Sequence, residues 1–425
     1  MSRRTAGIAL GILLTGFGIG AAGELADFVA RSDPATRWQK QSERSVGSSR
    51  EIDAELVSQT WRGIAWRHEL RVVVPASLAP LDVAVLIIGG DASRGAVDER
   101  RLAEEAGAIT AYLRSVPNQP LFGESEDALI AYSFERYLRT RDADWPLLFP
   151  MTKAAVKAMD AVTDLVGGAV PRKFVVTGAS KRGWTTWLVA VADHRVAAIA
   201  PMVFDNLDFG AQMRNQMAVW GRYSNMLGDY TERSLQALIG TERGRELVSM
   251  VDPFAYRAAL TPVSKLVVNG SNDPYWELGA VDFYWKELGG PKALLCVPNA
   301  GHDAGSDARS EATLVELVRR VGASRSMPAL STSDIDDGRT AIASDEAPRR
   351  VLLWRTESAS RDFRSARWRA TEVRRQGDRF VADAMPASDR FTAWFVEAEY
   401  PSAGRSFTLS TPVRISSPQT VESRQ

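Results

Sequence analysis

The chain predicts an α/β fold: a doubly wound, mostly parallel sheet with helices on both faces, a helical cap insertion, and a C-terminal all-β region of sandwich type. Three observations lead there. From about residue 50 to residue 322, β-branched runs alternate with segments of helical periodicity. One long stretch, 206–251, interrupts that alternation after a central strand. Beyond about residue 327, helical patterns stop and short alternating segments separated by turns take over.

The elements follow in order. Residues 1–22 combine "MSRR" with the apolar "AGIALGILLTGFGIGAA", the layout of a secretory signal peptide cut near Ala22. An uncleaved signal anchor is the competing reading, but the glycines and the small residues at the end favour cleavage. Arg3-Arg4 is only a weak hint of twin-arginine export. The mature chain is therefore expected outside the cytoplasm, secreted or periplasmic, with no membrane span. Its single cysteine, Cys296, lies in the apolar run "ALLCVP" and reads as a buried structural thiol.

The α/β region, 23–325, has strands at "LRVVVPA", "DVAVLIIGGD", "AITAYLRSVP", "KFVVTG", "RVAAIAPMVFD", "SKLVVNGSND" and "KALLCVPNA". Helical patterns fall between them, including "KRGWTTWLVAVAD" and "YWELGAVDFYWKELG". Insertions at the carboxyl ends of strands tend to shape a site, so 206–251 reads as a cap in preference to a hairpin that only thickens the domain. A polar Ser/Asp/Pro stretch leads into the β-rich region, 327–416, and 417–425 reads as a tail.

Composition excludes several classes. The 52 basic and 52 acidic residues cancel, so no broad nucleic-acid footprint exists. The three histidines, His68, His194 and His302, lack metal-ligand spacing, so neither a metal nor another cofactor is expected.

Chemistry is carried by "VVTGASKRGW", 175–184. It closes a buried strand and opens a helix, so Ser180 falls on a strand-to-helix turn, its hydroxyl pushed out at the carboxyl end of the sheet. The usual pattern has glycine two residues after the serine. Here Arg182 stands in that place and the glycine follows at Gly183. Asp273 lies just past the next-to-last strand of the sheet and His302 just past the last. The order Ser180, Asp273, His302 is that of α/β-hydrolases. His302 would serve as general base and Asp273 would orient it. Asp205, ending the strand "AIAPMVFD", is the alternative acid. The amide of Lys181 and one near Gly90 or Asp91 would form the oxyanion hole. Arg182, Trp184, Gln212 and Trp220 are the candidate substrate-pocket residues. His194 sits in a helix-to-strand loop at the opposite edge, and His68 in an early strand, where it reads as structural.

"VTGASKRGWTTWL", "AIAPMVFDNLD", "VDPFAYR" and "VPNAGHD" together resemble the PhoPQ-activated pathogenicity-related proteins. The resemblance implies an α/β-hydrolase fold, an envelope or secreted location, and Ser180, Asp273 and His302 as the catalytic positions. The basic residue after the serine also resembles, locally, the motif of glucuronoyl esterases. Together these readings predict an exported serine hydrolase forming an acyl-enzyme, with an ester as first choice of substrate. The alternatives are a peptidase or amidase of the same fold, and a non-catalytic binding or signalling protein on a hydrolase scaffold. The expected partner is a small-molecule, glycan or peptide ester or amide, with the β-rich region offering a surface for protein or glycan contact.

Overall fold

The computed structural model describes residues 19–79, 82–91, 97–168, 170–336, 338–377, 379–384, 387 and 389–418. Most of the expected signal segment and the expected tail lie outside them. Among the described residues no helix is long and apolar enough to cross a membrane. The first helix, α1 (Ile19–Ala30), packs Leu25, Phe28 and Val29 into the core.

Nine strands build the central sheet: β1 (Arg37–Val46), β2 (Ser49–Trp61), β3 (Ile64–Val74), β4 (Val83–Ile88), β5 (Ile109–Leu113), β6 (Lys173–Ala179), β7 (Val196–Met202), β8 (Ser264–Gly270) and β9 (Lys292–Val297). Their order is β1-β2-β3-β5-β4-β6-β7-β8-β9. β1, β2, β3 and β5 pair antiparallel, and every pair from β5 to β9 is parallel. Parallel strands need both faces covered. β4 divides cleanly: Ala84, Leu86 and Ile88 face one core, Val83, Val85 and Ile87 the other.

Helices α2 (Glu99–Ala106), α3 (Glu126–Thr140), α4 (Leu148–Leu165) and α5 (Lys181–Ala192) connect these strands. On the first face lie α1, α3, α4 and α5. On the second lie α2 and, later, α10 (Ala308–Gly322). Between β7 and β8 come α6 (Phe209–Trp220), α7 (Gly228–Glu232), α8 (Leu235–Leu238) and α9 (Glu242–Val251). The helix expected between β8 and β9 is instead a run of turns with one 3₁₀ segment, Ala280–Phe283. Its carbonyls are taken by side chains from elsewhere: Gln212 donates to Ala280, and Lys292 to Trp285 and Leu288. That competes with an i to i+4 ladder.

The C-terminal strands are β10 (Leu330–Asp336), β11 (Arg339–Ser344), β12 (Arg350–Ser358), β13 (Arg369–Glu372), β14 (Arg375–Gln376), β15 (Arg379–Asp383), β16 (Phe391–Tyr400), β17 (Phe407–Ser410) and β18 (Arg414–Ser416). They form two layers, and one layer is not separate. β17 joins the edge of β9 at Ser410 and Leu294, so the order continues β9-β17-β16-β12-β13 in one 14-stranded sheet, with β18 on β16. The other layer is β10-β11-β15-β14. Ile342 and Ala382 of that layer share one core with Val351 and Val396, and with Leu314 and Leu317 of α10.

A shared core predicts shared unfolding. The full chain should melt in a single calorimetric transition, with calorimetric and van't Hoff enthalpies in agreement. Two resolved transitions, one surviving removal of 327–418, would contradict this.

Candidate active site

The site begins with a backbone constraint. β6 ends at Ala179 and α5 begins at Lys181, leaving one residue to reverse the chain. Ser180 does so at φ +59°, ψ −127°, a conformation that costs a non-glycine residue about 1–3 kcal/mol. The turn is pinned by the Ser180 N–H donating to Met202 O at 2.9 Å and by the Trp184 N–H donating to Ser180 O at 2.9 Å. A Cβ at Gly178 would lie 2.8 Å from Arg182 O, and one at Gly183 would lie 2.8 Å from Met202 O. Both positions require glycine, and position 182 does not.

Arg182 points away from this crossing. Its Nε donates to Val116 O at 2.6 Å, and its two Nη atoms hold the Glu126 carboxylate at 2.7 and 2.8 Å. Lys181 Nζ adds to the cluster, 2.8 Å from Glu126 and 3.3 Å from Asp127. Burial pushes the Glu126 carboxyl up, but the hydrogen bond and charge of Arg182, with Lys181, outweigh it and hold the group well below the usual range.

Asp273 and His302 leave the sheet by the loops after β8 and β9. These loops touch: the Asn272 N–H donates to Ala300 O at 2.9 Å, and a Cβ at Gly270 would lie 2.2 Å from Gly301 O. His302 Nε2 is 2.8 Å from Ser180 Oγ, and its Nδ1 is 2.8 Å from Asp273 Oδ2. A carboxylate only accepts, so Nδ1–H donates to Asp273 and leaves Nε2 to accept from the Ser180 hydroxyl. The other carboxylate oxygen takes the Tyr275 N–H at 2.9 Å, and the Tyr275 ring stacks on the imidazole at 4.1 Å. Serine, histidine and aspartate thus stand in one hydrogen-bonded line.

The family model for PhoPQ-activated pathogenicity-related proteins matches residues 25–364. The chain belongs to that family. It is also similar to autocrine proliferation repressor protein A of Dictyostelium discoideum, 30% identical over an alignment of 375 positions that covers 80% of this chain and 76% of that one. Among solved structures it is similar to acetyl xylan esterase 1 from Thermoanaerobacterium sp., at 15% identity and TM-score 0.49, covering 71% of this chain and 92% of the other. A glucuronoyl esterase from Solibacter usitatus is similar at 14% identity and TM-score 0.43, covering 71% and 92%.

The other sequence candidates of this family member divide. Gly90 and Asp91 line a hollow with Ser180 and Arg182, so the loop after β4 faces the Ser180 turn. A Cβ at Gly90 would lie 2.5 Å from Arg182 Nη2, so a larger residue there would push the guanidinium off Glu126. The Lys181 amide opens α5, where helix N–H groups lack intrahelical partners. Trp184 lines a cavity beside Ser180, its indole N–H donating to Val251 O at 2.6 Å. Two pocket expectations are corrected. Gln212 is buried, its amide donating to Leu207 O and Ala280 O, so it braces the insertion. Trp220 lies under the Arg364 guanidinium at 4.1 Å, facing a hollow behind Asp273. Arg182 borders the Ser180 hollow, but Glu126 neutralises its charge. Among the described residues no cluster of three His, Cys, Asp or Glu side chains could hold a metal.

Two site residues escaped the sequence reading. Asn272 Nδ2 donates to Phe363 O, Arg364 O and Ala366 O, and Asn299 exchanges two hydrogen bonds with the backbone of Trp368. The loop between β12 and β13 therefore ties down the loops that carry Asp273 and His302. Asn272 directly precedes Asp273 and Asn299 lies three residues before His302, but each is legible in the sequence only as a turn former; their partners lie about 70–95 positions away.

Asp205 accepts from Tyr284 Oη at 2.5 Å and shares the hollow behind Asp273. Burial pushes its carboxyl up to about 7, and the Tyr284 hydrogen bond only partly offsets that. Below pH 3.8 folded and unfolded chains both hold this proton. Between 3.8 and 7 only the folded chain keeps it, so stability falls as pH rises and the loss is complete above 7. Asp205→Asn still accepts from Tyr284 and should raise stability at pH 8 by on the order of 2–4 kcal/mol, flattening the decline over that window. Asp252, also pushed up to about 7 by burial, leaves a residual slope. Denaturant midpoints from pH 4 to 8 measure both. A variant less stable than the parent at pH 8 would refute the assignment.

Proposed function

We propose that the protein is an exported serine hydrolase that cleaves an ester through an acyl-enzyme on Ser180. The reading rests on the Ser180–His302–Asp273 line, with its two 2.8 Å contacts. His302 Nε2 takes the Ser180 proton as Oγ attacks the ester carbonyl carbon. The carbonyl oxygen becomes an oxyanion facing the amides of Lys181 and the Gly90–Asp91 segment. As the tetrahedral intermediate collapses, the bond to the alkoxy oxygen breaks and the imidazolium gives its proton to that oxygen. The alcohol departs. Water, deprotonated by His302, attacks the acyl carbon, and a second collapse returns the proton to Ser180 and frees the acid. Asp273 accepts from Nδ1–H and stabilises the imidazolium.

Family membership and the hydrolase-like fold support the reaction class. The leader in residues 1–22 supports export, with removal near Ala22.

A fluorophosphonate should label the intact chain and fail to label Ser180→Ala. In a host that exports it, the labelled species should appear outside the cytoplasm with its amino terminus near Gly23. Labelling of Ser180→Ala, or none of either, would exclude the mechanism. Asn272→Ala should slow labelling and reduce kcat about 10–100-fold by analogy with outer-shell partners of functional groups. KM should change little, because the substitution loosens the acid loop without touching substrate. A rise in KM alone would give Asn272 a different role.

A further inference from the structure

We propose that the ester carries an uncharged apolar group on the order of six to eight heavy atoms, and that this group fills the cavity between Ser180 and the 206–251 insertion. The inference rests on the hydrolytic reading of Ser180 and names its substrate class.

The cavity starts at Ser180 and runs beneath α8 and α9. Its walls include Phe134, Trp184, Phe204, Leu247, Val251 and Trp276. Its space is about 100 Å³, where roughly 10–15 Å³ admits one water. An acetyl group would leave most of it unfilled, and apolar walls gain from every further methylene brought against them.

The polar groups on the walls decide the rest. Asp127 and Lys181 neutralise each other, and Tyr230 Oη donates to Asp127 at 3.1 Å. The indole N–H groups of Trp184 and Trp276 are spent on Val251 O and Val203 O. A charged substrate group would enter with no free counter-charge among these residues, and burying it unpaired is costly. Asn206 Oδ1 and Gln236 Oε1 have almost no accessible surface, so neither presents an acceptor to this space.

The first measurement is labelling of Ser180 by a small fluorophosphonate; its absence removes the hydrolase reading and this inference together. Where labelling occurs, p-nitrophenyl acetate, butyrate, hexanoate and octanoate are compared on the unmodified protein, alongside acetates of alcohols of the same lengths. In one of the two series kcat/KM should rise about threefold per added methylene up to six or eight carbons. A neutral ester should exceed the hemisuccinate of similar length by at least about tenfold. Leu247→Trp, which fills the cavity, should lower the octanoate-to-acetate ratio about tenfold. A flat response in both series, or equal turnover of the hemisuccinate, overturns the inference and leaves the hydrolytic reading standing. The chain-length series needs no variant, so it decides even where Leu247→Trp fails to fold.

Discussion

Everything at this site depends on the crossing of two backbones. The chain leaves β6, turns at Ser180 and enters α5 while pressed against the end of β7. Gly178 and Gly183 have no room for a Cβ there. With those contacts closed, Ser180 has one conformation available, at positive φ, and its hydroxyl stands clear of the sheet. The local strain is offset by the sheet hydrogen bonds on one side and the α5 ladder on the other. The serine is thus aimed by the packing of its own turn, independently of His302 and Asp273.

Around that turn the charges pair among themselves. Glu126 takes both Arg182 and Lys181, and Val116 O takes a further guanidinium N–H. This joins the start of α3, the loop after β5 and the first turn of α5 into one body. Arginine suits the position, because its planar fork meets a carboxylate with two bonds while leaving Nε for a third. The unusual residue two places after the serine is thereby a brace for the turn. Opposite it, Asn272 and Asn299 fix the other two loops to the β12–β13 loop. The β12–β13 loop thus holds the segments carrying Asp273 and His302 in place from outside the α/β core.

Much of this was legible in the sequence, for stated reasons. β4 and β6 to β9 are apolar runs bounded by turn residues, so alternation with helices located them. Ser180, Asp273 and His302 each follow such a run, and their chain order did the rest. β1 and β2 were missed: "RWQKQSERSV" is a polar hairpin arm, and "EIDAELVSQTW" carries apolar spacing that does not alternate cleanly. The segment after Asp273 has helical periodicity, but Gln212, distant in sequence, and Lys292, at the start of β9, capture its carbonyls. Arg182, Gln212 and Trp220 were assigned to a pocket on residue type. What they do is set by Glu126, Ala280 and Arg364, and pairings over such distances leave no local trace.

The junction of β17 with β9 has a consequence for how copies of the chain meet. Without it, β9 would end the parallel sheet as an open row of N–H and C=O groups flanked by "ALLCV", a template for another strand. The junction moves the boundary outward to β13, "RATE", while the opposite boundary is β1. Both outermost strands are exposed and carry charges of both signs. β10 and β14, which bound the smaller sheet, are polar too. Charged and polar outermost strands of this kind disfavour strand addition at those rims.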